Sequence, residues 1–259
     1  MAFFKWEKGR LLLWYMIGKI RQKLAELSQA ESKAGWLYDQ WKWRYFHYQH
    51  KQQAQLNLAW DREHGVETAG ELQLDAAGVP QADVARGNGV YRPLTEKLFR
   101  AAIASIGIDA AKFTFVDIGS GKGKVLFMAA DLPFKHSVGI EYAAGLHEVA
   151  VRNVASYRSA AQKCRSIEPV HADALTHVLP DGPLVLFIFN ALAKEIMRGL
   201  LKKLDHDATA PRPLILIYTN LRNVAEVGDV FNGLQNLHEI RRVRNYVVIG
   251  NDAGRAMAA

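Results

Sequence analysis

The sequence predicts an α/β protein: a mostly parallel sheet covered by helices on both faces. A C-terminal antiparallel hairpin closes the sheet, and an N-terminal helical extension precedes it. Three observations carry this reading. From Tyr91 onward, short and almost wholly apolar runs alternate with helical segments, the texture of strands buried on both faces. One of these runs ends in the glycine turn F-V-D-I-G-S-G-K-G, Phe115–Gly123, and opens a helix. The first 60 residues have a different composition from the rest, being basic and rich in Trp.

Taken in order, residues 3–60 contain few helix breakers. Leu13, Ile17, Ile20, Leu24 and Leu27 are spaced 4, 3, 4, 3 and form one stripe of a first helix. A second helix is expected from about Gly35 to Trp60. Residues 61–90 hold Gly65, Gly70, Gly78, Pro80, Gly87 and Gly89 and read as a loop-rich connector. Beyond it, helices are expected over Thr95–Ile106, Lys122–Asp131, Ala144–Tyr157 and Lys194–Leu204. Parallel strands are expected over Phe113–Ile118, Ser137–Glu141, Ile167–His171, Leu184–Phe189 and Leu214–Tyr218. His238–Val243 and Tyr246–Ile249 flank a short R-N turn and form the hairpin, which brings the sheet to seven strands. Ala253–Ala259 is expected to fray. The domains are therefore an extension and connector over 1–90, a sheet domain over 91–250 and a tail over 251–259.

A chain of 259 residues buries a large core without staples. Its single cysteine, Cys164, excludes an internal disulfide framework and a cysteine-only metal cluster, and no metal site is expected. A lone thiol fits a reducing, cytoplasmic location. The net charge of +7 is unevenly placed: residues 1–60 hold ten Lys/Arg against four Asp/Glu, and all six Trp. The apolar run Leu11–Ile17 is too short to span a bilayer and lacks a small-residue cleavage site, so neither a membrane helix nor a secretory signal is expected.

The chemistry centres on Phe115–Gly123. Gly119, Gly121 and Gly123 let the backbone turn tightly and approach a ligand closely. Such a turn also serves dinucleotides. Three details favour S-adenosylmethionine (SAM). The spacing is G-x-G-x-G. Asp117 stands at the strand end, where a carboxylate accepts from a ligand ammonium group. A second acid, Glu141, ends the next strand and can take both ribose hydroxyls. The following strand runs into V-H-A-D-A, Val170–Ala174, where Asp173 can accept from an adenine amino group or cap a short helix. Ser120, Tyr142 and Ala174, each beside one of these positions, complete the candidate cofactor contacts. His147, His171 and His177 are expected to be structural or exposed.

Over residues 91–250 these motifs resemble the class I SAM-dependent methyltransferases. D-I-G-S-G-K-G-K-V-L-F-M-A-A and V-G-I-E match the first two motifs of that superfamily. More narrowly, G-V-Y-R-P-L-T, Gly89–Thr95, stands where the non-SET histone-lysine methyltransferases and their bacterial relatives carry a Tyr-led motif. Trp60–Leu72 is similar to an upstream segment of uncharacterised bacterial members. The resemblance implies a Rossmann-like seven-stranded methyltransferase sheet. It places Tyr91 and Thr95 over the methionine end of the cofactor, and Tyr91 and Asn190 at the reacting centre. Asn190, in F-I-F-N-A-L, ends the fourth strand, where amino-methylating enzymes carry Asn-Pro-Pro-Tyr. Here Ala191 and Leu192 replace Pro and the aromatic residue.

The expected function is methyl transfer to a nitrogen such as a protein lysine. A small metabolite as acceptor and a non-catalytic SAM-binding scaffold are the alternatives. For residues 1–60 the competing readings are a helical lid or oligomerisation helix, peripheral contact of residues 1–30 with an anionic membrane, and nucleic-acid binding. The last is disfavoured, because the charge is modest and no nucleic-acid module is present.

Overall fold

Leu184–Phe189 is the pivot of the architecture. Leu184, Leu186 and Ile188 point to one face, Val185 and Phe187 to the other, and all five are buried. Only a strand with helices on both sides needs apolar residues at every position. The computed structural model describes residues 33–84, 87, 89–220 and 229–258. The chain divides into two compact units, Met1–Gln55 and Leu56–Ala259.

The elements are α1 (Lys33–His64), β1 (Leu72–Gln73), β2 (Val90–Tyr91), α2 (Glu96–Ala104), β3 (Thr114–Ile118), α3 (Lys124–Ala130), β4 (Ser137–Glu141) and α4 (Ala144–Ser156). There follow β5 (Ile167–His171), β6 (Leu184–Phe189), α5 (Lys194–Asp207), β7 (Leu214–Thr219), β8 (His238–Arg242), β9 (Tyr246–Gly250) and α6 (Asp252–Arg255). Helix α1 continues one turn beyond the expected Trp60. The first helix expected from the Leu13–Leu27 stripe, and with it residues 1–30, lies outside the described residues.

In the second unit the seven-stranded sheet has the order β5-β4-β3-β6-β7-β9-β8. β3 to β7 are parallel, and β9 inserts antiparallel between β7 and β8. This is the Rossmann-like seven-stranded sheet, mostly parallel with a C-terminal antiparallel hairpin, that the sequence predicts. On one face Leu186, Leu214 and Leu216 meet Met197, Leu200, Leu201 and Leu204 of α5. On the other, Phe115, Phe187 and Ile217 meet Phe99 of α2 and Met128 of α3. Phe99 lies edge-on to both Phe115 and Phe187. The strand order reverses between β3 and β6, so a crevice opens at the carboxyl ends of these two strands, where open α/β sheets bind ligands.

The expectation of a frayed end is corrected. Asn251 caps α6 by accepting from Gly254, accepts from the Leu214 N–H as well, and donates to the carbonyls of Ala208 and Arg212. Gly254 rests so close to the Leu214 carbonyl that an added Cβ would lie 2.4 Å from it. Met257 and Ala258 pack against the core. One amide side chain thus satisfies four backbone groups and fixes a segment whose composition alone promises little order.

Candidate functional site

The glycine turn follows β3. Gly119, Gly121 and Gly123 all have positive φ, at 74°, 55° and 89°, backbone that L side chains rarely adopt. Each glycine also makes room for a protein neighbour. A Cβ on Gly119 would lie 2.4 Å from the Ala191 Cβ, and one on Gly121 would lie 2.3 Å from the Tyr91 ring. Gly123 caps α3 in the left-handed conformation. Beneath the turn, Gly139 of β4 leaves space for Ser120, whose buried hydroxyl makes no hydrogen bond among the described residues. The close approach expected of these glycines is therefore partly an approach between parts of the chain, and it brings Tyr91 and Ala191 onto the turn.

Two carboxylates face this turn in different states. Glu141, at the end of β4, accepts from the Gly121 N–H at 2.7 Å and from the Ala143 N–H at 2.8 Å. Burial pushes its pKa up, while these N–H groups, Tyr142 and His171 pull it back. A carboxylate offers about four lone-pair sites, so Glu141 retains capacity toward a ligand. Asp117, at the end of β3, is 1% exposed, and neither of its oxygens has a hydrogen-bond partner among the described residues. Burial, and then the nearby Glu141, hold its carboxyl well above the usual carboxylate range.

Tyr91 comes from β2, which pairs with β1, so Leu72 lies opposite Tyr91. Its hydroxyl donates to the Thr68 carbonyl at 2.7 Å, and Lys122 lies over its ring, 5.6 Å from the centroid. Burial, and then Asp61, Asp117 and Glu141, push the phenol pKa well above its ordinary value. Thr95 caps α2, accepting from the Leu98 N–H.

On the β5 side, Asp173 accepts from the Leu175 N–H at 2.9 Å, inside a turn, and the short helix expected there as the alternative to an adenine contact does not form. Ala174 packs against the core face that carries α5. The Tyr142 hydroxyl donates to Asp83. His147 stacks on His171 at 5.4 Å, and burial lowers its pKa. His171 is exposed, with Nε2 3.0 Å from the Tyr142 carbonyl.

Across the crevice, Asn190 follows β6 with φ 41°. It is the one non-glycine residue with positive φ among the described residues, and Asn tolerates that region better than most. Its Oδ1 accepts from the Tyr218 hydroxyl at 3.2 Å and from Asn220 Nδ2 at 3.3 Å. Tyr218 and Asn220 carried no sequence signal, because Tyr218 lies within an apolar strand that reads as core and Asn220 follows directly after it. The upstream residues Asn57, Asp61 and Thr68 have no local sequence signature for another reason: their partners lie more than 20 positions away or in a loop. Lys124 donates to Asn57 at 2.7 Å and lies over the Trp60 ring, 4.8 Å from its centroid.

No helix among the described residues is long and apolar enough to cross a membrane. Residues 84–165, from just before Tyr91 to beyond α4, match the family model described as histone methylation protein DOT1. No curated protein matches the chain. Among solved structures, an RNA methyltransferase from Salinibacter ruber in complex with S-adenosyl-L-homocysteine is similar at 17% identity and a TM-score of 0.44, over 61% of this chain and 91% of that one. A predicted N6-adenine-specific DNA methylase from Listeria monocytogenes aligns at 12% identity and 0.45, over 61% of this chain and only 51% of its own. Geranyl diphosphate C-methyltransferase from Streptomyces coelicolor aligns at 12% identity and 0.45, over 62% and 78%. These likenesses carry no acceptor to this chain. The chain has the class I methyltransferase fold, and over residues 84–165 it is similar to the DOT1 histone-methylation family.

Proposed function

We propose that the chain is a SAM-dependent methyltransferase acting on a nitrogen, with a protein lysine as the acceptor class. The observation that carries the cofactor is Asp117. A buried carboxylate without a hydrogen-bond partner costs several kcal/mol unless it takes a proton or a cation reaches it, and SAM presents an α-ammonium group that could take the place of that proton. Glu141, one strand away, has acceptor capacity for the ribose hydroxyls. Gly119 to Gly123 and Ser120 would border the methionine portion together with Tyr91 and Thr95. Asp173, Ala174 and Tyr142 would border the adenosine. When bound, SAM supplies a methyl group on a cationic sulfonium.

The residues of the chain need do little beyond orientation, because in-line transfer depends on alignment. Asn190 stands at the reversal of strand order, facing the glycine turn through Ala191. An acceptor amine would replace one of the long bonds that Asn190 Oδ1 now accepts. A protonated amine must lose its proton before transfer, and solvent can take it. The similarity of residues 84–165 to the DOT1 family favours lysine over a metabolite.

Calorimetry tests the cofactor: binding of SAM and S-adenosylhomocysteine without NAD is expected, and NAD binding without SAM overturns the reading. Labelled SAM incubated with cell lysate tests the acceptor, with label expected in protein. Label confined to small molecules would favour the metabolite reading, and no transfer despite SAM binding would favour a scaffold. For residues 1–30 we propose a role in acceptor selection or contact with an anionic membrane. Their removal should leave SAM affinity within about threefold, or about 0.7 kcal/mol, while methylation of the acceptor or vesicle binding falls much further.

A further inference from the structure

Three successive residues upstream of the sheet, Glu67, Thr68 and Ala69, are each bonded to the neighbourhood of the glycine turn. Asn153 of α4 accepts from the Glu67 N–H at 2.8 Å and donates to the Glu67 carbonyl at 3.1 Å and to the Lys122 carbonyl at 2.9 Å. Tyr91 donates its hydroxyl to the Thr68 carbonyl. Lys122, inside the turn, donates to the Ala69 carbonyl at 3.2 Å. From the opposite side a single carboxylate holds this strap. Asp61, in the last turn of α1 and 6% exposed, accepts from the Thr68 N–H, the Thr68 hydroxyl and the Ala69 N–H, each at 2.6 Å. Thr68 itself is fully buried.

We propose that Asp61 is a positioning residue for Tyr91: by fixing the Thr68–Ala69 backbone it aims the Thr68 carbonyl at the Tyr91 hydroxyl and so holds the Tyr91 ring on Gly121. The inference rests on reading the glycine turn as the cofactor site. A loop cap alone would require only that Asp61 satisfy the N–H groups after α1. Here the carbonyls of the same two residues are taken by Tyr91 and Lys122, so the orientation that Asp61 imposes on these peptides is read at the turn. The ring fits there because Gly121 has no Cβ, which would stand 2.3 Å from it. Asp61 thereby sets the wall of the cofactor site without touching the cofactor, from a position 56 residues before the nearer carboxylate of that site.

The test uses the full chain and three variants, Asp61→Asn, Tyr91→Phe and the double substitution. Asn cannot accept at both of the carboxylate's oxygens, and Phe removes only the hydroxyl. Amide hydrogen exchange in the free protein gives a readout independent of any cofactor. Asp61→Asn is expected to speed exchange at Gly119, Ser120 and Gly121 about tenfold, as well as at Thr68 and Ala69. Faster exchange confined to Thr68 and Ala69 overturns the proposal. S-adenosylhomocysteine binding by calorimetry gives the second readout. Each single variant is expected to lose at least about fivefold in affinity, and the double variant no more than the weaker single, because both remove one linked contact. Losses that multiply, or wild-type affinity in a cooperatively melting Asp61→Asn protein, overturn it. If Asp61→Asn does not fold, Tyr91→Phe decides by the same exchange measurement: unchanged protection at Gly119 to Gly121 refutes the link. A wild-type protein that fails to bind S-adenosylhomocysteine refutes the cofactor assignment instead, and leaves the exchange result to judge Asp61.

Discussion

Gly121 donates its backbone N–H to Glu141 Oε2 at 2.7 Å, tying the glycine turn after β3 to the end of β4. The acid proposed to take the ribose thus also holds the turn that borders it. Glu141→Ala should therefore weaken SAM by about 1–3 kcal/mol and destabilise the free protein by a similar amount, because two buried N–H groups lose their acceptor. Calorimetry reads the first effect and a denaturant melt the second. Glu141→Gln, which keeps one acceptor oxygen, should lose less on both counts.

Asp117 behaves in the opposite way. Its pKa is raised in the folded state, so across the interval between the ordinary and the raised value the folded chain binds more protons than the unfolded one. Stability then falls as pH rises through that interval. Asp117→Asn should flatten this fall and leave the free protein at least as stable at pH 8, while weakening SAM binding at least tenfold. Thermal melts at pH 5 and pH 8 check the first part and calorimetry the second. A steeper pH dependence in the variant would contradict the carboxylate's burial without a partner.

The turn after β3 and the turn after β6 touch through Gly119 and Ala191. Gly119→Ala should cost about 1–3 kcal/mol from its positive φ, and more from the clash with the Ala191 Cβ. Adding Ala191→Gly should recover the clash and leave the backbone strain. A denaturant series on the two singles and the double measures the coupling. Additive losses would place the two turns further apart than described.

Lys124 is buried against Trp60 and Asn57, and burial pushes its pKa down to about 8. Between that value and the ordinary 10.5 the unfolded chain holds the proton that the folded chain has released, so stability contributed by this site rises with pH. The melting temperature of Lys124→Met relative to wild type should therefore drop progressively from pH 8 to pH 10. A difference independent of pH would mean that the ammonium is solvated in the folded state.

The sequence by itself determined the sheet. Leu184–Phe189 and Leu214–Thr219 are apolar at nearly every position, and periodicity of that kind is a local property that needs no partner to be read. The same holds for the glycine turn and for Glu141, whose place at a strand end follows from counting. Tertiary structure alone decided what touches these residues. No local pattern says that Asp61 reaches Thr68 and Thr68 reaches Tyr91, that Ala191 leans on Gly119, or that Asn251 ties down the C-terminal turn. Asp117 makes the contrast plain. Its position at the end of β3 was legible, but its lack of a partner was not, because whether a buried polar group is satisfied depends on every element that packs around it.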